Sequence, residues 1–313
     1  MIKRTFKKVG VVIVTYNSEK YIRMCLKSIQ SNSYPNFETL AVDNSSQDKT
    51  AQVIKKGFKK VGFIENKKNL GFSAANNIGI KYLLNKKCDY ILLINPDTVS
   101  SPTLIEKLVN SFEINKKIAV AGCIITYAKD RKKIWFGGGY FNNFFCYSRH
   151  KYMNKSLKNV EIKSGYVDFI TGACMMIDSK IFKKMGFLPE DYFLYFEDLF
   201  FCQKIKEKGF LCYLLALPLA YHYVSTSTGV AQTNIMSPLR AYFFARNPII
   251  YIKKNVKGFR KITNLAGQFL IRLPFYAFKI IFQKEKTRPF FYYCRGIFDG
   301  ILGKSPNPVL NNR

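Results

Sequence analysis

Val9-Gly10-Val11-Val12-Ile13-Val14-Thr15-Tyr16-Asn17-Ser18-Glu19 decides the fold: a continuous apolar run breaks directly into a cluster of polar side chains. The pattern returns twice. Glu38 to Val42 runs into Asp43-Asn44-Ser45-Ser46, and Tyr90 to Ile94 runs into Asn95-Pro96-Asp97. Short apolar runs bounded by turn residues mark strands buried on both faces, as in parallel sheets. Helical periods separate them. Tyr21, Ile22, Cys25, Leu26 and Ile29 fall on one helical face, Asp48 to Lys56 opens a second helix, and Ser73 to Leu84 a third. Strands alternating with helices predict an α/β fold with a mostly parallel sheet flanked by helices. Ligands of such sheets bind outside the carboxyl ends of the strands. Asp43 and Asp97, far apart in the chain, are therefore expected to share one crevice.

Further along, Gly137-Gly138-Gly139 and the aromatic run Tyr140 to Tyr147 predict a loop or hairpin insertion between residues 126 and 165. Val167 to Ile177 reads as a buried strand interrupted at Thr171-Gly172. A helix over Glu197 to Lys208 is expected to close at Gly209, and Leu211 to Ala220 reads as a strand. The character of the chain changes near Ser237-Pro238. Beyond it the only acidic residues are Glu285 and Asp299, while Lys, Arg, Phe and Tyr are dense. The longest apolar stretch, Leu265 to Phe282, contains Gln268, Arg272 and Pro274 and falls short of a membrane span, which needs about 20 apolar residues. Basic, aromatic and amphipathic, it predicts a helix lying on an anionic membrane surface. Two units are expected: residues 1–236 as a catalytic domain and residues 237–313 as a helical extension.

The chain of 313 residues is 48% hydrophobic, enough for a substantial core. Its formal charge of +30 favours anionic partners: nucleic acid, an anionic membrane or phosphorylated substrates. The eight cysteines have neither zinc-ligand nor CxxC spacing, so they read as reduced, buried thiols of a cytosolic protein. The basic start, Met1 to Lys8, leads into an apolar run too short for a signal core.

The polar clusters carry the chemistry, each against a plainer alternative. Asp97, held behind Pro96, could bind a divalent ion bridging a diphosphate, yet Asn-Pro-Asp alone reads first as a turn. Asp43 could accept from a nucleoside or cap the next helix. Asn69-Leu70-Gly71, followed by small residues and Asn76, allows close backbone approach to a ligand or simply tight helix packing. Glu197-Asp198 follows the aromatic wall Tyr192 to Phe196. Apolar surroundings suit a general base, while acid at a helix start is also ordinary N-terminal charge. His222 could hold a metal or a diphosphate, or be structural. His150 is assigned no role.

Together, in order, these motifs resemble the family 2 glycosyltransferases of the GT-A fold. The residues are Val11 to Asn17, Val42 to Ser46, Asn69 to Gly71 with Asn76 and Gly79, and Asn95-Pro96-Asp97. Thr171-Gly172-Ala173-Cys174, Phe193 to Asp198, His222 and Arg246-Asn247-Pro248 look like its rhamnosyltransferase branch. The resemblance spans residues 9 to about 250.

It implies an inverting transfer of a sugar from a nucleoside diphosphate, with dTDP-L-rhamnose the first donor and another UDP- or dTDP-hexose the second. The acceptor it implies is a polyprenyl-linked or polysaccharide glycan at the cytoplasmic face of a bacterial membrane. By the same resemblance Thr15, Tyr16, Asn17, Glu19, Asp43, Asn69, Gly71 and Asn76 hold the nucleotide. Asp97 and His222 hold Mg²⁺ or Mn²⁺, Asp198 is the base, and Glu197 is its neighbour in the site. Two departures stand out: Asn95 occupies a position where relatives often have a first aspartate, and Leu199-Phe200-Phe201 lacks a further acid. No nucleic-acid module is recognisable, so nucleic acid is not an expected partner. A catalytically silent scaffold remains the rival. The sequence sets no oligomeric state.

Overall fold

The structure, a computed structural model, describes residues 6–224 and 236–306. The polar segment Ser225 to Gly229 lies outside them. The first half alternates as expected: β1 (Val9–Thr15), α1 (Glu19–Gln30), β2 (Phe37–Asp43), α2 (Thr50–Gly57), β3 (Gly62–Glu65), α3 (Phe72–Asn85) and β4 (Tyr90–Ile94). Then follow β5 (Thr98–Ser100), α4 (Leu104–Ile114), β6 (Ile118–Tyr127), β7 (Asp130–Phe136), β8 (Gly139–Asn142) and β9 (Tyr147–His150). The second half comprises β10 (Gly165–Val167), β11 (Cys174–Asp178), α5 (Ser179–Met185), α6 (Glu197–Glu207) and β12 (Leu211–His222). Four helices close the described residues: α7 (Pro238–Asn255), α8 (Phe259–Ala266), α9 (Leu273–Ile281) and α10 (Thr287–Leu302).

The sheet runs β10-β12-β6-β11-β4-β1-β2-β3, with β5 added on β12 and β7 on β6. β3, β2, β1, β4, β6 and β12 all point the same way; β11 runs against both β4 and β6 between them. The long strands are therefore mostly parallel, and β1 and β4 are buried along nearly their whole length. Parallel pairing puts the ends of β1, β2 and β4 on one edge, with Thr15 opposite Asp43. The expected hairpin insertion is β8 and β9, an antiparallel pair apart from the main sheet.

The stretch Val167 to Ile177 is not one interrupted strand. β10 pairs with β12 at the sheet edge, while β11 lies between β4 and β6 in its centre. The intervening loop leaves the sheet because Gly172 must reach α6, where its amide donates to the Asp198 carboxylate. The end of α6 is as expected, with Gly209 at φ 79° just beyond it.

The last helices are joined to the sheet by packing. Tyr251 of α7 stacks on Phe200 of α6 at 3.9 Å with planes 4° apart, and Ile250, Ile252 and Val256 share the main core. α10 crosses α7 at Gly296, where a Cβ would lie 2.3 Å from the Tyr242 carbonyl oxygen. Gly267–Arg272, between α8 and α9, is π-helical. Outward, Phe259, Leu270, Phe278, Phe282 and Phe291 are exposed. Among the described residues no helix is long and apolar enough to cross a membrane. All eight cysteines are free; seven are buried and Cys294 of α10 is exposed.

Candidate active site

The polar strand ends do converge. A crevice of about 540 Å³ is lined by Tyr16, Asn44, Asn69, Gly71, Asn95, Asp97, Thr171, Gly172, Glu197, Asp198 and His222. Trp135 and His150 form one wall, and Arg240, Phe244, Arg272, Phe275, Tyr276 and Lys279 of the C-terminal helices form another.

Asp97 and His222 meet because β5 turns back from β4 and pairs with the end of β12, Thr98 opposite His222. His222 Nε2 lies 2.9 Å from Asp97 Oδ1, and both side chains are buried. The rings of His222 and Trp135 pack in a T-shape with centroids 4.4 Å apart, and His222 Nδ1 is buried without a hydrogen-bond partner. Trp135 also contacts His150 at 4.9 Å; burial pushes the His150 imidazole down to about 4, so it is neutral at pH 7.

Asp198 opens α6. Its Oδ2 accepts from the Gly172 amide at 2.8 Å and its Oδ1 from the Leu199 amide at 2.7 Å. Burial raises its carboxyl above the ordinary range, while those two amides and the Thr171 hydroxyl pull it back. Glu197 is more deeply buried, and its Oε2 has no hydrogen-bond partner. Burial first, and the neighbouring Asp198 second, push its carboxyl well above the ordinary range. Environments that separate two carboxyls in this way give one that holds a proton and one that can accept it.

The segment leading into this pair is strained. Phe193, Tyr195 and Phe196 all have positive φ, at 61°, 67° and 74°. Phe193 sits at φ 61°, ψ −54°, and the Leu194 amide donates to the Tyr192 carbonyl at 2.7 Å, a tight γ-turn of the rare kind. Two devices hold it. The Asn247 amide nitrogen lies within 3.1 Å of the carbonyls of Tyr192, Leu194 and Tyr195, and the Phe72 amide donates to the Phe193 carbonyl at 2.6 Å. Gly71 makes room for that second contact. Its φ is 84°, and a Cβ there would lie 2.6 Å from the Phe193 oxygen.

Other sequence-chosen residues stand behind the crevice or at its rim. Asp43 is fully buried; its carboxylate accepts from the Thr15 hydroxyl at 2.6 Å and from the Ser46 amide at 2.8 Å. Asn17 and Glu19 are at the surface, accepting from the Gln47 and Lys49 amides and lashing the loop after β1 to the loop after β2. Asn76 is buried and donates to the Phe72 carbonyl. Asn44, which the sequence marks only as a polar neighbour of Asp43, has a side chain that donates to the Gly71 carbonyl and accepts from Asn66. Sequence reasoning missed Trp135, Arg240 and Arg272, which carry no local motif. Among the described residues no group of three or more His, Cys, Asp and Glu could hold a metal by itself. The 2.9 Å between Asp97 Oδ1 and His222 Nε2 is a hydrogen-bond distance, and it sets a carboxylate oxygen beside an imidazole nitrogen in the crevice. Both are donor types that divalent ions accept, so the pair fits as part of a ligand set that substrate phosphate and water would complete.

The family described as glycosyl transferase family 2 matches residues 10–186. The low-salt glycan biosynthesis hexosyltransferase Agl10 of Haloferax volcanii is 26% identical over 76% of this chain and 73% of its own. The dTDP-rhamnosyl transferase RfbF of Shigella flexneri is 25% identical over 78% of this chain and 79% of its own. Among solved structures, S. aureus TarS 1-349 in complex with UDP-GlcNAc superposes with a TM-score of 0.60 at 17% identity, covering 96% of this chain and 82% of that one. Sheet order, crevice and sequence agree: the chain is a glycosyltransferase of the GT-A fold and belongs to glycosyl transferase family 2.

Proposed function

We propose that the protein transfers a sugar, with inversion, from a nucleoside diphosphate to a hydroxyl of a lipid-linked glycan at the cytoplasmic face of a bacterial membrane. The carrying observation is Asp198, a half-buried carboxylate fixed by two backbone amides in the same crevice as the Asp97–His222 pair. An acceptor hydroxyl beside Asp198 gives up its proton as its oxygen attacks the anomeric carbon. The bond from that carbon to the diphosphate breaks, and the nucleoside diphosphate leaves with the electron pair. Burial favours the protonated form of Glu197 more than that of Asp198, which leaves Asp198 as the acceptor of the hydroxyl's proton. Asp97 and His222 are the residues that would hold Mg²⁺ or Mn²⁺, and such an ion offsets the charge developing on the leaving diphosphate. Tyr16, Asn69 and Gly71 line the nucleotide end. Thr15, Asn17, Glu19, Asp43 and Asn76 act there by fixing its loops.

The similarity to a dTDP-rhamnosyl transferase supports dTDP-L-rhamnose as first donor, ahead of other UDP- and dTDP-hexoses. The basic, aromatic outer face of α8 to α10 supports a unit from residue 237 onward that rests on anionic lipid, beside a catalytic unit over residues 1–236. A hydrolysis screen over a panel of nucleotide sugars tests the reading, with the anomer released first followed by NMR. Hydrolysis of one donor with inversion is the expected result. A retained configuration removes the single-base mechanism, and hydrolysis of a donor outside the UDP- and dTDP-hexoses removes the donor assignment.

A further inference from the structure

Among the described residues, Arg272 is the one buried cation in the crevice wall whose position the catalytic reading leaves unused. It is 7% exposed. Among the described residues it pairs with no carboxylate, and it makes one hydrogen bond, Nη1 to Gln268 Oε1 at 3.3 Å. Its guanidinium lies 4.8 Å from the ring of Phe196, 5.4 Å from Tyr276 and 5.9 Å from Phe244. The rings cover its faces, and most of its N–H donors remain for the crevice. A buried charge without a counter-ion is expensive unless a ligand completes it. The backbone is adapted to this placement: Arg272 closes the π-helical segment, an irregularity often found at functional sites. That segment is fixed by Gln268, whose side chain reaches the Phe145 and Cys146 carbonyls.

Arg272 touches Phe196, the residue directly before Glu197-Asp198, so its charge stands one side chain from the proposed base. Arg240 and Lys279 line the same wall. From this basic mouth α9 continues outward through Phe275, Phe278 and Phe282, exposed by 52%, 61% and 74%. The wall therefore offers, in order, a base, an anion site and an apolar ramp. We infer that Arg272, with Arg240 and Lys279, binds the phosphate that joins the acceptor sugar to an apolar lipid carrier. An anion site this close to the base leaves room for little glycan between them. The acceptor is thus a carrier bearing only its first sugar or sugars. The inference rests on the reading of Asp198 as base.

The test measures binding to the full chain, with farnesyl diphosphate and farnesol as probes and UDP with Mg²⁺ held saturating. Farnesyl diphosphate is expected to bind alongside UDP, and farnesol much more weakly. Arg272→Gln should weaken farnesyl diphosphate roughly ten- to hundredfold, the range for hydrogen bonds to a charged group, and leave UDP affinity unchanged. Displacement of UDP by farnesyl diphosphate would mean a single anion site, the donor's, and would overturn the inference. So would equal binding of farnesol, or unchanged affinity in the folded variant. Should Arg272→Gln lower the melting temperature sharply, the double variant Arg240→Gln/Lys279→Gln takes its place, and unchanged affinity there overturns the inference equally. Flotation with phosphatidylglycerol vesicles separates the two lipid sources. If Arg272→Gln abolishes vesicle binding but spares farnesyl diphosphate, the site serves bulk lipid and the inference fails. Failure of UDP and dTDP alike to bind would instead strike the donor reading, in an arm independent of the farnesyl probes.

Discussion

At the scale of single residues, two adjacent carboxyls, Glu197 and Asp198, are held in different environments, one without a hydrogen-bond partner at Oε2 and one fixed by two amides. Asp198→Asn keeps one of the two amide contacts through its carboxamide oxygen, loses the other and removes the basic site, so turnover should fall by about 10² to 10⁴ with nucleotide affinity intact. Steady-state kinetics beside UDP calorimetry check this, and a folded variant with full turnover contradicts it. The pH profile carries the same sign. The base works ionised, and burial raises its carboxyl, so the acid limb of kcat/KM should lie above the ordinary carboxylate range. Glu197 predicts a stability effect instead. Its folded carboxyl titrates well above its unfolded value, so the folded state binds the proton more tightly. That contribution is present at low pH and lost as pH rises from the ordinary carboxyl range through Glu197's own. Glu197→Gln should therefore gain stability relative to the wild type between pH 5 and pH 8, read as a shift in the urea midpoint; a difference that shrinks with pH refutes the assignment. Asp97, His222 and Asp198 were legible in the sequence because each sits at the end of an apolar run, where topology sends side chains to one edge. Arg272 was not. It reaches the crevice through a π-helical turn and a packing arrangement that no local spacing encodes.

At the scale of elements, the loop from Tyr192 to Phe196 is held out of its relaxed conformation by two neighbours. Residues in sparsely populated backbone regions hold about 1–3 kcal/mol each and persist where the surroundings over-determine them. Gly71→Ala should destabilise by at least that amount, because the new Cβ meets the Phe193 carbonyl and φ 84° disfavours a side chain. Asn247→Ala removes the donor shared by three carbonyls and should cost about 1–3 kcal/mol. Chemical denaturation measures both. Because Asn247 acts on the loop before Asp198, its variant should lose kcat more than KM, a split that a purely global loss of stability would not give. The motif Arg246-Asn247-Pro248 was visible in the sequence, but its work was not, since the carbonyls it gathers lie more than fifty residues upstream. The α/β alternation was legible for a simpler reason: buried parallel strands are uniformly apolar and their helices periodic. Val167 to Ile177 misled because two short apolar strands on different neighbours look like one interrupted strand.

At the scale of the whole molecule, basic charge and exposed aromatics gather on the outer face of α8 to α10, contiguous with the mouth of the crevice. Such a face gains roughly 1 kcal/mol per basic residue near an anionic surface, in addition to the area its rings bury. Flotation with phosphatidylglycerol vesicles should carry the full chain, and high salt should release it. The triple variant Phe275→Ser/Phe278→Ser/Phe282→Ser should stay behind. Its equal flotation would leave the rings without a role at the surface. Truncation at Ser237 is the poorer test, because α7 fills the core against Phe200 and its removal would open the fold. The free cysteines supply a further tool. Burial pushes the Cys88 and Cys146 thiols up to about 12, and Cys25 higher still, so their thiolates are scarce at pH 7. A maleimide should modify one thiol in the native chain, at Cys294, and all eight after denaturation, a count that mass spectrometry reads directly. Native chemistry has thereby placed a single labelling handle on α10. A nitroxide attached there turns the protein into its own depth gauge, reporting how far that helix settles into a bilayer without an engineered residue.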